Sequence, residues 1–261
     1  MGSAANAWSE RAAGVAVAAV ALLAFFGGWL WTARGLPEFV LPGPMAVLRA
    51  VAAFGSDTVL ISHAAISFVR VAAAVLIALL IAIVLAALHR ASPWSRTIIE
   101  ARILTLLNSF PSVGWAILGV LWFDVSSFTV VFIQVMIVLP FCLINLIEGL
   151  RQLDTELMEL GRSLTRTRAR LVTKLMVPLV MPFAIAGLRI AYGIAWKVAL
   201  VSELFGATSG LGYLLQQAQT TSNAAMVFAC CLVIVLLFGA VDFLLLRPLS
   251  ARYSVNRGGN R

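Results

Sequence analysis

The chain has 261 residues, 62% of them hydrophobic and 11% charged, with a formal net charge of +8. A soluble domain carries about 25% charged residues, so this chain cannot clothe its surface in solvated groups, and the composition excludes a soluble fold in favour of an integral membrane protein. There the positive charge marks segments facing anionic lipid rather than nucleic acid.

The first apolar stretch, about 12–32, follows Arg11. It is longer than the roughly 7–15 residues of a cleavable signal core, and it reads as an uncleaved anchor helix. The mixed polar and apolar segment Ser56–Val69 is expected at the outer interface, ahead of a second span at 69–88. Arg70 then sits at a helix mouth, where it is expected to snorkel as an interfacial anchor. A third span, 103–123, is interrupted by Asn108 and Pro111. A proline inside a span frees a backbone carbonyl that a neighbour or a cavity has to satisfy. Asn108, Ser112 and Trp115 are therefore candidates for the wall of a path, with a packing kink as the alternative. Further spans of about 20 apolar residues fall at 128–147, 179–201 and 225–246.

Six spans place both termini on one side. With the N-terminus inside, the cytoplasmic segments hold 14 of the 19 basic residues, from Arg11 through Arg90, Arg96 and Arg102, the 151–174 group and the C-terminal arginines. The outer loops hold only Arg34 and Arg49. The positive-inside rule thus puts both ends in the cytoplasm. The chain shows no internal repeat and reads as one all-α membrane domain over 1–261.

Between the fourth and fifth spans lies a polar segment, about 148–178. Leu150, Leu153, Leu157, Leu160 and Leu164 recur at spacings of three and four, as on one helical stripe, with Arg151, Asp154, Glu156, Glu159 and Arg162 off it. After Thr165 the pattern changes phase, and Pro178 closes the segment. Periodicity alone leaves four readings open: an ordinary basic loop, a helix lying on lipid, a stripe packed under the bundle, or a docking site for a soluble partner.

The span 179–201 carries its own signal. At 100° per residue, Tyr192, Trp196, Lys197 and, if the helix continues, Glu203 all fall within about 80° of Arg189, with Ala191, Ile194 and Val198 opposite. A charge at mid-bilayer normally faces a cavity or a partner. Either Arg189 snorkels inward while Lys197 and Glu203 reach the outer surface, or this face lines a path. Cations beside Trp and Tyr would suit a small anion or a flat aromatic acid. Arg189 could equally hold an inward gate.

The chemical motifs are silent. There is no G-x-x-x-x-G-K-[ST], metalloprotease motif or nucleophile elbow, so no catalytic residue is assigned. "GATSGLGYLL" is glycine-rich without the lysine and reads as an outer loop with turns. Cys142, Cys230 and Cys231 lie in apolar runs, and His63 and His89 are far apart, so neither a disulfide framework nor a metal site is expected.

"ELGRSLTRTRARLVTKLMVP", 159–178, resembles the EAA loop of permease subunits of ABC importers. Glu159, Leu160 and Gly161 take its Glu-Ala-Ala, Thr165 takes its glycine, and Leu175, Val177 and Pro178 take its closing Ile-x-Leu-Pro. "LPGP" at 41–44, "SFVRV" at 67–71, "FPSVGWAILGVLWF" at 110–123, "GLRIAYGIAWKVALVSELF" at 187–205 and "SGLGYLL" at 209–215 are similar to stretches of the branch that imports sulfonates, taurine and nitrate. The resemblance implies a type I importer permease with a cytoplasmic coupling helix, in which Glu159, Leu160, Gly161, Leu164 and Thr165 meet the ATPase. It implies as partners a cytoplasmic ABC ATPase dimer, a second and identical permease chain, a periplasmic or lipid-anchored substrate-binding protein and membrane lipid. It implies no cofactor in this chain, ATP and Mg being bound by the ATPase, and residence in the bacterial cytoplasmic (inner) membrane. The expected function is the path for a small anionic solute; the alternative is a stand-alone secondary transporter or channel.

Overall fold

The chain's apolar runs become helices, and four of the helix starts are written in their capping residues. Asp57 accepts from Val59 N, Ser92 from Ser95 N, Ser126 from Thr129 N and Asn223 from Met226 N, each satisfying a free first-turn donor. The computed structural model describes the backbone of residues 2–153, 155–165 and 167–254. The side chains of residues 1–12, 154, 155, 157, 164, 166, 168 and 254–261 lie outside the described residues, and with them Leu157, the coupling candidate Leu164 and the basic residues Arg11, Arg166, Arg168, Arg257 and Arg261.

In chain order the helices are α1 Gly2–Gly35, α2 Pro44–Ala53 and α3 Thr58–Ala91. Then come α4 Pro93–Ser109 and α5 Ser112–Phe123, bent by 88° at the break between them. α6 is Ser127–Arg151 and α7 is Thr155–Leu164. α8 is Ala169–Gly206, α9 Leu211–Thr220 and α10 Ala224–Tyr253. Among the described residues, five helices are long and apolar enough to cross a membrane, and the α4–α5 pair makes a sixth crossing if counted as one. Pro111 therefore does more than kink the third span: it turns the chain nearly at right angles.

α3 begins at Thr58, so the second span expected from 69 is part of a longer helix. Its 34 residues extend about 51 Å against a hydrocarbon core of roughly 30 Å. The surplus length carries polar residues beyond the apolar run, and one of them, Arg70, becomes the centre of a buried cluster.

α6 is the middle of the bundle. It packs against α3, α8 and α5, and Ile133, Val138 and Leu143 are completely buried on it. α1 stands apart, its residues from Ala13 on almost wholly exposed. It is pinned near its end by Trp29, which stacks on Phe228 and donates its Nε1–H to the Pro42 carbonyl. Widened π turns occur at 99–104 in α4, 172–176 in α8 and 242–246 in α10. The last two lie just before a proline, Pro178 or Pro248, whose ring crowds the carbonyl four residues back and offers it no N–H, a clash that a wider turn relieves.

Candidate functional site

Three constructions among the described residues bear on function. The first is buried. Arg70 and Glu203, 5% and 1% exposed, pair at 3.1 Å. Glu203 also accepts from Ser67 Oγ at 2.7 Å and from Gly212 N at 2.9 Å. Arg70 donates to Ser127 Oγ at 2.8 Å and to the Ser209 carbonyl at 2.6 Å. Ser67 accepts in turn from Leu211 N, and His63 Nδ1 from Gly210 N. The cluster thus ties α3, α6 and α8 to the 207–210 turn and to the N-terminus of α9, whose free N–H groups favour a carboxylate. Gly210 has φ +109°, and a Cβ there would fall on the Glu203 carboxylate, so glycine is required twice over.

This geometry corrects the reading of Arg70 as a snorkelling anchor. The cation is drawn inward because a carboxylate 133 residues further along the chain waits for it. It also corrects the reading of "GATSGLGYLL" as loop throughout, since residues from Leu211 on form α9.

The second construction is the polar face of α8. Tyr192 and Trp196 are buried, as is Glu203, while Arg189 and Lys197 are exposed. The helical wheel's grouping is thereby divided. α8 is covered by α6 over a broad arc, and Ala191, expected on the far side, is fully buried as well. Tyr192 donates its hydroxyl to the Leu237 carbonyl and stacks on Phe238. Arg189 makes a two-pronged pair with Asp242, at 2.8 and 3.2 Å, and Asp242 also accepts from Arg247 at 2.9 Å. Asp242 was invisible to periodicity, but a lone acid inside an apolar run is itself a signal that a cationic partner exists. The same reasoning applies to Gln134 on α6, completely buried and donating to Ser202 Oγ.

The broken third span separates its three candidates. Asn108 and Ser112 are exposed on either side of the bend, Asn108 returning its amide to the Leu104 carbonyl. Trp115 is buried against Phe110, ring centroids 4.6 Å apart, and its Nε1 has no hydrogen-bond partner.

The third construction is the connection from α6 to α8. The expected leucine stripe is not one helix: α6 ends at Arg151, and α7 starts afresh at Thr155. Leu153 and Met158 are buried, but Leu160 is 57% exposed. Glu159 is exposed beside it. Gly161 faces the other way. A Cβ there would lie 2.5 Å from Leu171 Cδ1 and 2.7 Å from Leu175 Cδ2, so the missing side chain lets α7 press directly on the first turns of α8. Thr165 makes the bend without a positive φ. Its N–H bonds back to the Gly161 carbonyl, and its Oγ1 accepts from Thr167 N. A side-chain hydrogen bond thus closes the turn where the EAA pattern has glycine.

A family model described as binding-protein-dependent transport system inner membrane component matches residues 90–255. The taurine transport system permease protein of Escherichia coli is 27% identical over 197 residues, 72% of this chain and 71% of the relative. A Bacillus subtilis protein described as an aliphatic sulfonates transport permease is 27% identical over 190 residues, 73% of this chain and 68% of its own. A protein of Methanocaldococcus jannaschii described as an ABC transporter permease is 31% identical over 156 residues; the match spans 59% of this chain and 58% of that relative's length.

Proposed function

This chain belongs to the family of binding-protein-dependent transport system inner membrane components, the non-catalytic membrane-spanning subunits of ABC transporters, and from that premise we propose how it is driven and what it carries. The family works with an ATPase and a substrate-binding protein, so the stand-alone transporter is set aside. In our reading α7 is the handle by which the ATPase moves the bundle. Glu159 and Leu160 enter a groove on the ATPase, and Gly161 and Thr165 set the angle at which α7 rides on α8. The observation that carries this is the contact of Gly161 with Leu171 and Leu175: displacement of α7 has to be passed to α8.

The rest of the reading follows from that connection. ATP and Mg bind the ATPase alone, and the closing of two ATPase subunits draws two handles together, one from each of two identical permease chains. Both termini and α7 lie in the cytoplasm, in keeping with the basic segments. Arg189 and Lys197, the exposed cations of α8 beyond Pro178, face the path between the two chains, with Asn108 and Ser112 from the break. Tyr192, Trp196, Trp115 and Glu203 shape its wall from within. The solute is a small anion of the sulfonate class, aliphatic sulfonates and taurine being named for two of the relatives, and guanidinium and ammonium groups suit such oxyanions.

The test uses Glu159→Arg and Leu160→Arg, both on the exposed side of α7. Each is expected to abolish co-purification of the ATPase while the permease accumulates in the membrane normally. Normal ATPase binding and uptake in both variants would refute the handle. For the path, Arg189→Ala and Lys197→Ala should change solute stimulation of ATP hydrolysis more than they change assembly.

A further inference from the structure

Two cavities at the α7 end of the bundle share a wall. One, of about 430 Å³, is lined by His89, Arg90, Arg96, Glu100 and Arg151, with Leu150 at its edge. The other, of about 910 Å³, is an apolar groove between α3 and α8. Ile83 and Ala87 form one side, Val177, Val180 and Ala184 the other, at the three- and four-residue spacings of single helix faces. Arg90 and Leu150 line both cavities.

The charges in the basic cavity do not cancel. Glu100 accepts from Arg151 at 2.8 Å and meets His89 Nε2 at 2.7 Å. Arg90 and Arg96 are exposed and have no carboxylate partner among the described residues. Two free guanidinium groups therefore stand at the mouth of a groove whose other lining is hydrocarbon.

We propose that this junction binds one anionic phospholipid, its phosphate between Arg90 and Arg96 and an acyl chain along the α3–α8 groove. A free anion would use the arginines and leave the groove to water, which an apolar wall disfavours. An uncharged lipid would fill the groove and leave the arginines unmatched. Only a molecule with both parts uses both cavities. The depth agrees: the α3 wall runs from Leu79 to Ala91, a rise of about 18 Å, comparable to one leaflet of a roughly 30 Å core. Basic recesses between spanning helices are where acidic headgroups bind. Arg90 lines both cavities, and a long cationic side chain at the membrane boundary suits that double role.

The experiment titrates the delipidated transporter, permease assembled with its ATPase, with dioleoyl phosphatidylglycerol or phosphatidylcholine, and counts bound lipid by native mass spectrometry. Phosphatidylglycerol is expected to be retained in preference to phosphatidylcholine. Arg90→Gln should weaken its retention about 5-fold, and the Arg90→Gln/Arg96→Gln pair about 25-fold. Ala87→Trp, which fills the groove and leaves both arginines, should also weaken it, and inorganic phosphate should not compete. Equal retention of the two lipids, or no effect of the arginine pair, would overturn the proposal. Competition by inorganic phosphate with no effect of Ala87→Trp would overturn it in favour of a free anion. Loss of the ATPase from the arginine variants with lipid retention unchanged would overturn it in favour of a protein interface. Because ATPase retention is read in the same spectra, failure of the lipid site is distinguishable from failure of the α7 handle.

Discussion

The two ends of the bundle treat charge in opposite ways. At the α9 end, Arg70 and Glu203 are sealed from solvent, and Ser67, Ser127, Ser209 and the backbone of the α9 turn share in satisfying them. Toward the other end, Asp242 is buried, but its partners Arg189 and Arg247 are 42% and 60% exposed on their side chains. Beyond them α7 presents Glu159 and Leu160 outward. One end is a lock that holds three helices and a turn in a single arrangement. The other leaves polar and apolar groups exposed. A subunit moved by an external ATPase needs both: a body stiff enough to pass on a displacement, and a handle that the body does not itself bury.

The sharpest way to break this contrast is to remove half of the lock. Glu203→Ala or Arg70→Ala leaves an uncompensated buried charge, and each should destabilise the protein by about 3–5 kcal/mol, read as thermal unfolding in detergent. The pair Arg70→Met/Glu203→Leu should recover much of that loss, because it removes both charges at once. Next comes Gly210→Ala, which forces a side chain into the positive-φ region and onto the Glu203 carboxylate. A loss of about 2 kcal/mol is expected, with α9 amides exchanging faster than in the unmodified protein. At the more exposed end, Asp242→Asn keeps shape and removes charge. With both arginines substantially exposed, the loss should be only about 1 kcal/mol. The smallest effect on stability belongs to α7: Leu160→Ser should shift unfolding by less than about 0.5 kcal/mol while weakening ATPase association. If Leu160→Ser proved as damaging to stability as Glu203→Ala, the contrast between the two ends would be lost.

Much of this architecture was legible in the chain. Hydropathy runs marked the spans, because a helix in lipid has to be apolar for about 20 residues whatever its neighbours do. Pro111 marked the break in the third, though not its 88°. The family resemblance was carried by the order and spacing of several short stretches, and the family model bears it out. What stayed hidden depends on contacts distant in sequence. Nothing local to Arg70 says that Glu203 lies beside it, so the residue read as an interfacial anchor. Nothing in the leucine spacing says that the helix stops at Arg151 and restarts at Thr155, because a three-and-four repeat continues across a bend as readily as along a straight helix. The polar face of α8 was found, but which of its members would be covered depends on how α6 and α10 close over it. Asp242 could have been flagged alone, as an acid in an apolar run; its two partners could not.

The central claim is that α7 is moved from outside and carries α8 with it. Spin labels at Ser163→Cys, exposed on α7, in the assembled transporter test it by the distance between the two permease copies. That distance should shorten by several ångströms when ATP and Mg bind, while the distance from Ser163→Cys to Lys174→Cys within one chain stays fixed. A separation between copies that does not change on ATP binding, in a complex that still hydrolyses ATP and transports, would contradict the account.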